Sequence, residues 1–335
     1  MRERMNRQWL LARRPNGMVT ADDFELVDRP VPELTDGQVL VRNLYLSCDP
    51  TQRGWVGRDT YLPAVKIGEV MRSVGAGEVI ESRDGRFDPG QLVQGMLGWQ
   101  DFAVVEPSRA AVSPLLPGIP IEASLSVLGL NGLTAYFGLL EIGRPNAGET
   151  VVVSAAAGAT GSLAGQIALI KGCRVVGIAG GEGKCGWIRE LGFQEVIDYK
   201  AEDVLARLCE TCSDGIDIYF DNVGGELLNG ALACLAMHGR VVLCGAIARY
   251  NDTAIEPGPS NYGQLIVQRG RMEGFIVLDY YHRATEAIPI LYGWMTEGKL
   301  KHRTDVVHGL ENAPTALMRL FTGENQGKQV VKIAE

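Results

Sequence analysis

Histidine is scarce in this 335-residue chain: there are four, and none precedes His238. The scarcity bears on metal chemistry, because a catalytic zinc needs three protein ligands at suitable spacing. Cys48 is followed by Asp49-Pro50, and no cysteine at all lies between Leu92 and Pro120, so neither a catalytic nor a four-cysteine structural zinc can be assembled. No metal is expected. Basic residues are not in excess either: 32 Lys and Arg stand against 40 Asp and Glu, a formal net charge of −8, with no basic block. Nucleic acid is therefore not expected as a partner, since neutralising phosphates requires a cationic face. No apolar stretch approaches the length of a membrane span. The first residues, MRERMNRQWLLARRP, lack the apolar core of a signal peptide, and Arg13-Arg14 interrupt any such run. A cytoplasmic protein with no membrane partner is the expectation.

Seven cysteines (48, 173, 185, 209, 212, 234 and 244) are scattered through the chain and read as reduced thiols in such a protein. Cys209-Glu210-Thr211-Cys212 has CxxC spacing. It lacks the second pair or nearby histidines of a zinc knuckle, and it ends a polar helical stretch instead of opening a helix as a thioredoxin-type site would. Coincidence is the preferred reading.

Hydrophobic residues make up 46% of the chain and charged residues 21%, as in a globular protein with length for two domains. The first third is rich in strands and turns: 39–46 and 77–81 have strand character, punctuated by Asp36-Gly37, Asp84-Gly85 and Asp88-Pro89-Gly90. After Pro117-Gly118-Ile119-Pro120 the pattern alternates. Strands are expected at 151–154, 174–178, 195–198, 216–220, 241–244 and 272–277, with helices at 161–171, 184–191, 202–211 and 226–236 between them. That alternation predicts an α/β fold, a doubly wound parallel Rossmann sheet covered on both faces. An amphipathic helix near 284–297 follows, and a tail strand at 328–333 returns to the first domain, making it discontinuous. The expected domains are 1–122 with 299–335, and 123–298.

The most informative segment is Val151-Val152-Val153-Ser154-Ala155-Ala156-Ala157-Gly158-Ala159-Thr160-Gly161. A buried strand breaks into a glycine turn and then a helix, the arrangement a dinucleotide pyrophosphate requires. Gly158 lets backbone approach the phosphates, Gly161 lets the helix pack closely on the sheet, and the helix N-terminus offers its N–H groups to negative charge. Ala155 takes the first glycine position, giving AxxGxxG. The second strand, Arg174-Val175-Val176-Gly177-Ile178, runs into Ala179-Gly180-Gly181 and then Lys184. An NAD enzyme usually carries a carboxylate at that tip. Here none is present, two glycines make room, and Lys184 supplies a positive charge for a 2′-phosphate, so NADPH/NADP+ is the expected cofactor.

Further strings point to a family. They are Leu46-Ser47-Cys48-Asp49-Pro50 with Arg53-Gly54, Gly132-Leu133-Thr134-Ala135-Tyr136-Phe137-Gly138-Leu139, and Tyr219-Phe220-Asp221-Asn222-Val223-Gly224-Gly225-Glu226. Cys244-Gly245-Ala246-Ile247, Tyr250-Asn251 and Glu273-Gly274-Phe275-Ile276-Val277 complete the set. Over nearly its whole length the chain resembles the zinc-independent medium-chain dehydrogenase/reductase superfamily. Within it, the resemblance is to NADPH-dependent alkenal, prostaglandin and curcumin double-bond reductases. It implies a GroES-like, partly open β-barrel domain beside the Rossmann domain, with the active site in the cleft between them, and a homodimer joined across the edge strand at 272–277.

By the same resemblance, Ala155, Gly158, Ala159, Thr160, Gly161, Gly180, Lys184, Tyr199, Asn222, Cys244, Gly245, Ala246, Ile247, Phe275, Val277, Asn325 and Thr134 line the cofactor. Tyr250 lies near the nicotinamide ribose and the substrate carbonyl. Tyr45, Tyr61, Tyr136 and Tyr262 are candidates for the substrate pocket, although Tyr45 and Tyr61 also suit a barrel core and Tyr262 a turn. Leu130-Asn131 departs from the family's pattern.

Without a metal, an α,β-unsaturated carbonyl is an easier target than an isolated ketone, because charge spreads into an enolate. The expected reaction is NADPH-dependent reduction of that double bond, with Tyr250 as donor to the carbonyl oxygen. A quinone oxidoreductase and a non-catalytic NADPH-binding sensor are the alternatives.

Overall fold

The computed structural model describes residues 4–254 and 257–334. The chain folds into two compact units, one of Met1–Leu125 with Thr304–Glu335 and one of Ser126–Arg303. The first three residues of the charged N-terminal segment lie outside the described residues.

In the first unit, β1 (Met5–Leu11) and β2 (Phe24–Pro30) form an antiparallel ribbon. The larger sheet uses β3 (Val39–Ser47), β4 (Val74–Ser82), β5 (Leu92–Met96), β6 (Phe102–Val105) and β7 (Ser113–Pro114). The late strands β14 (Thr304–His308) and β15 (Lys328–Lys332) complete it, in the order β14-β15-β3-β4-β5-β7. One long strand serves three neighbours: β3 pairs along one edge with β4, while its first half meets β6 and its last residues meet β15. That sharing bends the sheet into the partly open barrel of a GroES-like domain. Three helices, α1 (Gln52–Gly57), α2 (Ile121–Leu125) and α10 (Ala313–Thr322), belong to this unit. Trp99, Leu46, Met71 and Trp55 pack with Ala313 and Leu317 of α10 in one core.

The second unit is the Rossmann domain. Its six parallel strands are β8 (Thr150–Val153), β9 (Arg174–Ala179), β10 (Glu195–Asp198), β11 (Ile216–Asp221), β12 (Leu235–Leu243) and β13 (Arg271–Gly274). The order is β10-β9-β8-β11-β12-β13, a doubly wound sheet whose direction of winding reverses between β8 and β11. Val151, Val152 and Val153 are fully buried, as a central strand covered on both faces requires. The helices are α3 (Leu130–Phe137), α4 (Ala159–Ile170), α5 (Glu182–Glu190), α6 (Val204–Thr211), α7 (Gly225–Ala233), α8 (Gln264–Val267) and α9 (Ala284–Thr296).

Several boundaries differ from the sequence reading. α4 and α5 each start two residues early, after Gly158 and Gly181 as N-caps. α6 starts late because the Asp203 carboxylate caps it, accepting the Ala206 N–H at 3.1 Å. The expected helix at 226–236 stops at Ala233, and strand β12 already runs from Leu235. The last strand ends at Gly274, so Phe275-Ile276-Val277 is not strand; a 3₁₀ turn occupies Val277–Arg283. The strand that does form reads Arg-Met-Glu-Gly and is half charged, not apolar. Among the described residues, no helix is long and apolar enough to cross a membrane.

Candidate dinucleotide-binding and active site

The tips of β8, β9, β11 and β12 gather most of the residues singled out above. Between β8 and α4 the chain turns through Ala155, held at φ +47°. An L-residue in this left-handed region carries roughly 1–2 kcal/mol of strain, and this is the position where the fingerprint ordinarily has glycine. The turn aims the Ala155 carbonyl at α4: a Cβ on Gly161 would lie 2.4 Å from its oxygen. Gly161 is glycine because helix and turn touch there. Gly158 differs, since a Cβ there would meet only that carbonyl oxygen, at 3.1 Å. The space beside Gly158 stays open at the start of α4, next to Ala159 and Thr160, where the N–H groups of a helix's first turn favour an anion. Asn131, the departure noted above, donates its amide to the Thr160 hydroxyl at 3.2 Å and so steadies the first turn of α4.

At the tip of β9 the structure corrects the sequence reading. Gly180 does not keep space for a ligand; it seats the Tyr199 ring, whose atoms would lie 2.6–2.9 Å from a Cβ. Gly181, at φ +86°, turns the chain into α5 and donates its N–H to the Asp198 carboxylate at 2.9 Å. Asp198 also accepts the Lys200 N–H, at 3.0 Å, and these two backbone bonds hold its carboxyl below the usual range. Sequence reasoning missed this acid because it sits on the neighbouring strand. Glu182 is turned to Arg189, 3.0 Å away, on the exposed side of α5. Lys184, one turn into α5, and the half-exposed Tyr199 remain at this tip.

Ser154 and Asn222 face each other where the winding reverses. The Asn222 amide donates to the Ser154 carbonyl at 2.7 Å, and the Asn222 N–H donates to the Ser154 hydroxyl at 2.9 Å. That hydroxyl donates in turn to the fully buried Asp221 carboxylate, at 3.1 Å. Asp221 also accepts the N–H groups of Val223 and Gly224 at 3.0 and 2.9 Å, fixing the turn into α7. Burial outweighs these bonds and raises its pKa. A serine ending an otherwise apolar strand is the signal that could have revealed Ser154.

The loop after β12 is tied to the same tips. Cys244 and Gly245 donate their N–H groups to the Asp221 carbonyl, and Ile247 donates to the Asn222 carbonyl. Burial, with Asp221 nearby, pushes the Cys244 thiol up to about 12, so it stays protonated. A 3₁₀ turn (Ile247–Arg249) then brings Tyr250 back over the loop, and its hydroxyl accepts the Ala246 N–H at 3.3 Å. A Cβ on Gly245 would lie 3.3 Å from the Tyr250 oxygen. A phenol that accepts a hydrogen bond becomes a stronger donor through its own O–H.

The remaining candidates are placed less closely. Thr134 donates its hydroxyl to the Leu130 carbonyl within α3 at 2.6 Å. Tyr136 packs against Phe137 and Trp294, and burial raises its pKa. Phe275 lies on Gly138 and meets Tyr280 edge-on, Val277 opens the 3₁₀ turn, and Tyr262 is largely exposed. Three candidates belong to the first unit. Tyr45, expected in the substrate pocket, is instead a core residue whose hydroxyl donates to Glu122 at 2.8 Å. Tyr61 shares a hydrogen bond with Thr51, and Asn325 is buried with its amide on the Gly327 carbonyl. Among the described residues, no group of three or more His, Cys, Asp or Glu is placed to hold a metal.

A reversing parallel sheet with an open glycine turn at its switch point defines a dinucleotide-binding protein of the Rossmann class. Residues 7–112 match a family model described as the N-terminal domain of oxidoreductase, and residues 159–292 one described as zinc-binding dehydrogenase. The NADPH-dependent curcumin reductase of Escherichia coli is 41% identical, over 98% of this chain and 97% of that protein. An NADP+-dependent 2-alkenal reductase of Nicotiana tabacum is 40% identical, over 98% of each. The crystal structure of CurA from Vibrio vulnificus in complex with NADPH superposes with a TM-score of 0.93 at 42% identity, covering 98% of this chain and 99% of that one. The chain belongs to the medium-chain dehydrogenase/reductase superfamily, in its family of alkenal, prostaglandin and curcumin double-bond reductases.

Proposed function

We propose that this protein is a cytoplasmic enzyme that reduces the carbon–carbon double bond of α,β-unsaturated aldehydes and ketones with NADPH. The observation that carries the reading is the Tyr250 hydroxyl, set on the Ala246 N–H at the tip of β12. When bound, NADPH supplies a hydride for the β-carbon of the substrate. Tyr250 donates a hydrogen bond to the substrate's carbonyl oxygen, where negative charge gathers as the enolate forms. The α-carbon takes its proton from solvent or from Tyr250, so that one hydride and one proton are added in all.

Gly158, Ala159, Thr160 and Gly161, with Ala155 shaping the turn, hold the pyrophosphate. Lys184 and Tyr199 meet the 2′-phosphate beside Gly180. Asn222, Cys244, Gly245, Ala246 and Ile247 run along the cofactor toward Thr134, Phe275 and Val277. Tyr136 and Tyr262 border the substrate on the Rossmann side. No zinc takes part in this reading: Cys48 is buried, its thiol is pushed up to about 12 by that burial, and no histidine precedes His238. A second copy of the chain joins along β13, whose outer edge has no strand partner among the described residues. Light scattering on the parent protein should then give the mass of a dimer.

The test of the activity is NADPH oxidation against graded enals, enones and benzoquinones, with NADH in parallel. Turnover of enals and enones with strong preference for NADPH is expected. Turnover of quinones alone would make the protein a quinone oxidoreductase. Tight NADPH binding without any turnover would make it a sensor.

A further inference from the structure

The CxxC segment acquires a different partner in the fold. Cys209 lies on the exposed side of α6, whereas Cys212 just beyond that helix is buried. Cys234, the residue that closes α7, places its sulfur 2.8 Å from the sulfur of Cys209, closer than two unbonded sulfurs ordinarily rest. The pair joins α6 to the junction of α7 and β12. Both residues sit at the amino-terminal edge of the sheet, since α6 runs back from the tip of β10 and Cys234 directly precedes β12. That edge is opposite the strand tips that carry Gly158, Asn222 and Tyr250.

We infer that Cys209 and Cys234 are a peroxide-oxidisable dithiol that closes reversibly to a disulfide. The two thiols have the asymmetry such a reaction uses. Cys209 is exposed, so its thiolate meets the oxidant first. Cys234 is half-buried and its thiol is pushed up, to about 12, by burial and by the neighbouring Cys209 sulfur, so it is held in reserve as the resolving thiol. In the first step the Cys209 thiolate attacks one oxygen of hydrogen peroxide; the O–O bond breaks, an S–O bond forms, and hydroxide leaves to become water. In the second step the Cys234 sulfur attacks the sulfenic sulfur of Cys209; the S–S bond forms, the S–O bond breaks, and a second water leaves with the Cys234 proton. Two thiols are oxidised, one peroxide is reduced to two waters, and no other reactant is needed. Contact between the sulfurs favours this second step over further oxidation of Cys209 to sulfinic acid.

The experiment treats the whole protein with hydrogen peroxide, quenches it, and counts thiols after denaturation. The parent protein should fall from seven thiols to five, and dithiothreitol should restore all seven. Trypsin leaves the three relevant cysteines on one peptide, residues 208–240, whereas cleavage after Glu210 and Glu226 separates them, so the connectivity can be read by mass. A 209–234 bridge, retained in Cys212→Ser and lost in both Cys209→Ser and Cys234→Ser, supports the inference. A 209–212 bridge, sulfinic acid at Cys209 in the parent protein, or seven thiols surviving a dose that oxidises the unfolded chain would each overturn it.

Discussion

The ammonium of Lys328, 1% exposed, donates to the Asp49 carboxylate at 2.6 Å and to the Cys48 carbonyl at 3.2 Å. The pair ties β15 to the segment after β3. Removing one partner leaves a buried charge uncompensated. Asp49→Ala should therefore lose about 3–5 kcal/mol of stability, read as a fall in Tm, and Lys328→Met in the same chain should recover part of that loss.

Tyr250→Phe keeps the ring over the Gly245 turn and removes the donor. The expected loss in kcat/KM for an enone is about 2–4 kcal/mol, or roughly 30- to 900-fold. NADPH affinity, measured by fluorescence titration, should stay near that of the parent protein. An unchanged kcat/KM would remove Tyr250 from the mechanism.

Lys184→Ala should weaken NADPH far more than NADH. A charged hydrogen bond of this kind contributes about 1.5–3 kcal/mol, so KM for NADPH should rise by roughly 10- to 150-fold. Equal effects on both coenzymes would show that the lysine does not meet the 2′-phosphate.

Gly158→Ala and Gly161→Ala separate two reasons for glycine in one turn. The Cβ at 161 collides with the Ala155 carbonyl, so that variant should unfold at lower temperature. At 158 the Cβ meets only one atom, at a distance a small shift relieves. That variant should keep its Tm and lose affinity for NADPH.

Asp221 predicts a pH dependence. Its folded-state pKa lies above the ordinary 3.8, so its ionisation opposes folding. As pH rises from 3.8 through the folded value, the parent protein should lose stability, and above that value the loss levels off. Asp221→Asn lacks the titration, and the difference in unfolding free energy between the two proteins should change only within that window.

The Rossmann half was legible because its signals are local. A valine run ending in a glycine turn identifies a buried strand and its helix, and the alternation of strands and helices identifies a doubly wound sheet. What escaped depended on contacts between distant segments. Gly180 reads as open space until Tyr199, just past the end of β10, is seen lying on it. Asp198 and Ser154 look like ordinary strand ends, and only the neighbouring tips reveal their hydrogen bonds. Tyr45 lies in a stretch of β3 in which Asn43 to Ser47 are all buried, and it belongs to the core. The strand expected at 272–277 forms but ends three residues early, because hydrophobicity continues past Gly274 while pairing with β12 stops there. The spacing of Cys209 and Cys212 reads as coincidence, and nothing local to it points to Cys234, which helix packing brings against Cys209.

The placement of β15 between β14 and β3 has a consequence for biogenesis. β15 is an interior member of a sheet whose strands β3 to β7 are made long before it, so that sheet cannot be completed until residues 328–332 have left the ribosome. The Rossmann unit, contiguous in the chain, emerges whole and can fold first. Nascent chains stalled before Lys328 should therefore protect the nucleotide unit from protease while the early strands remain cleavable.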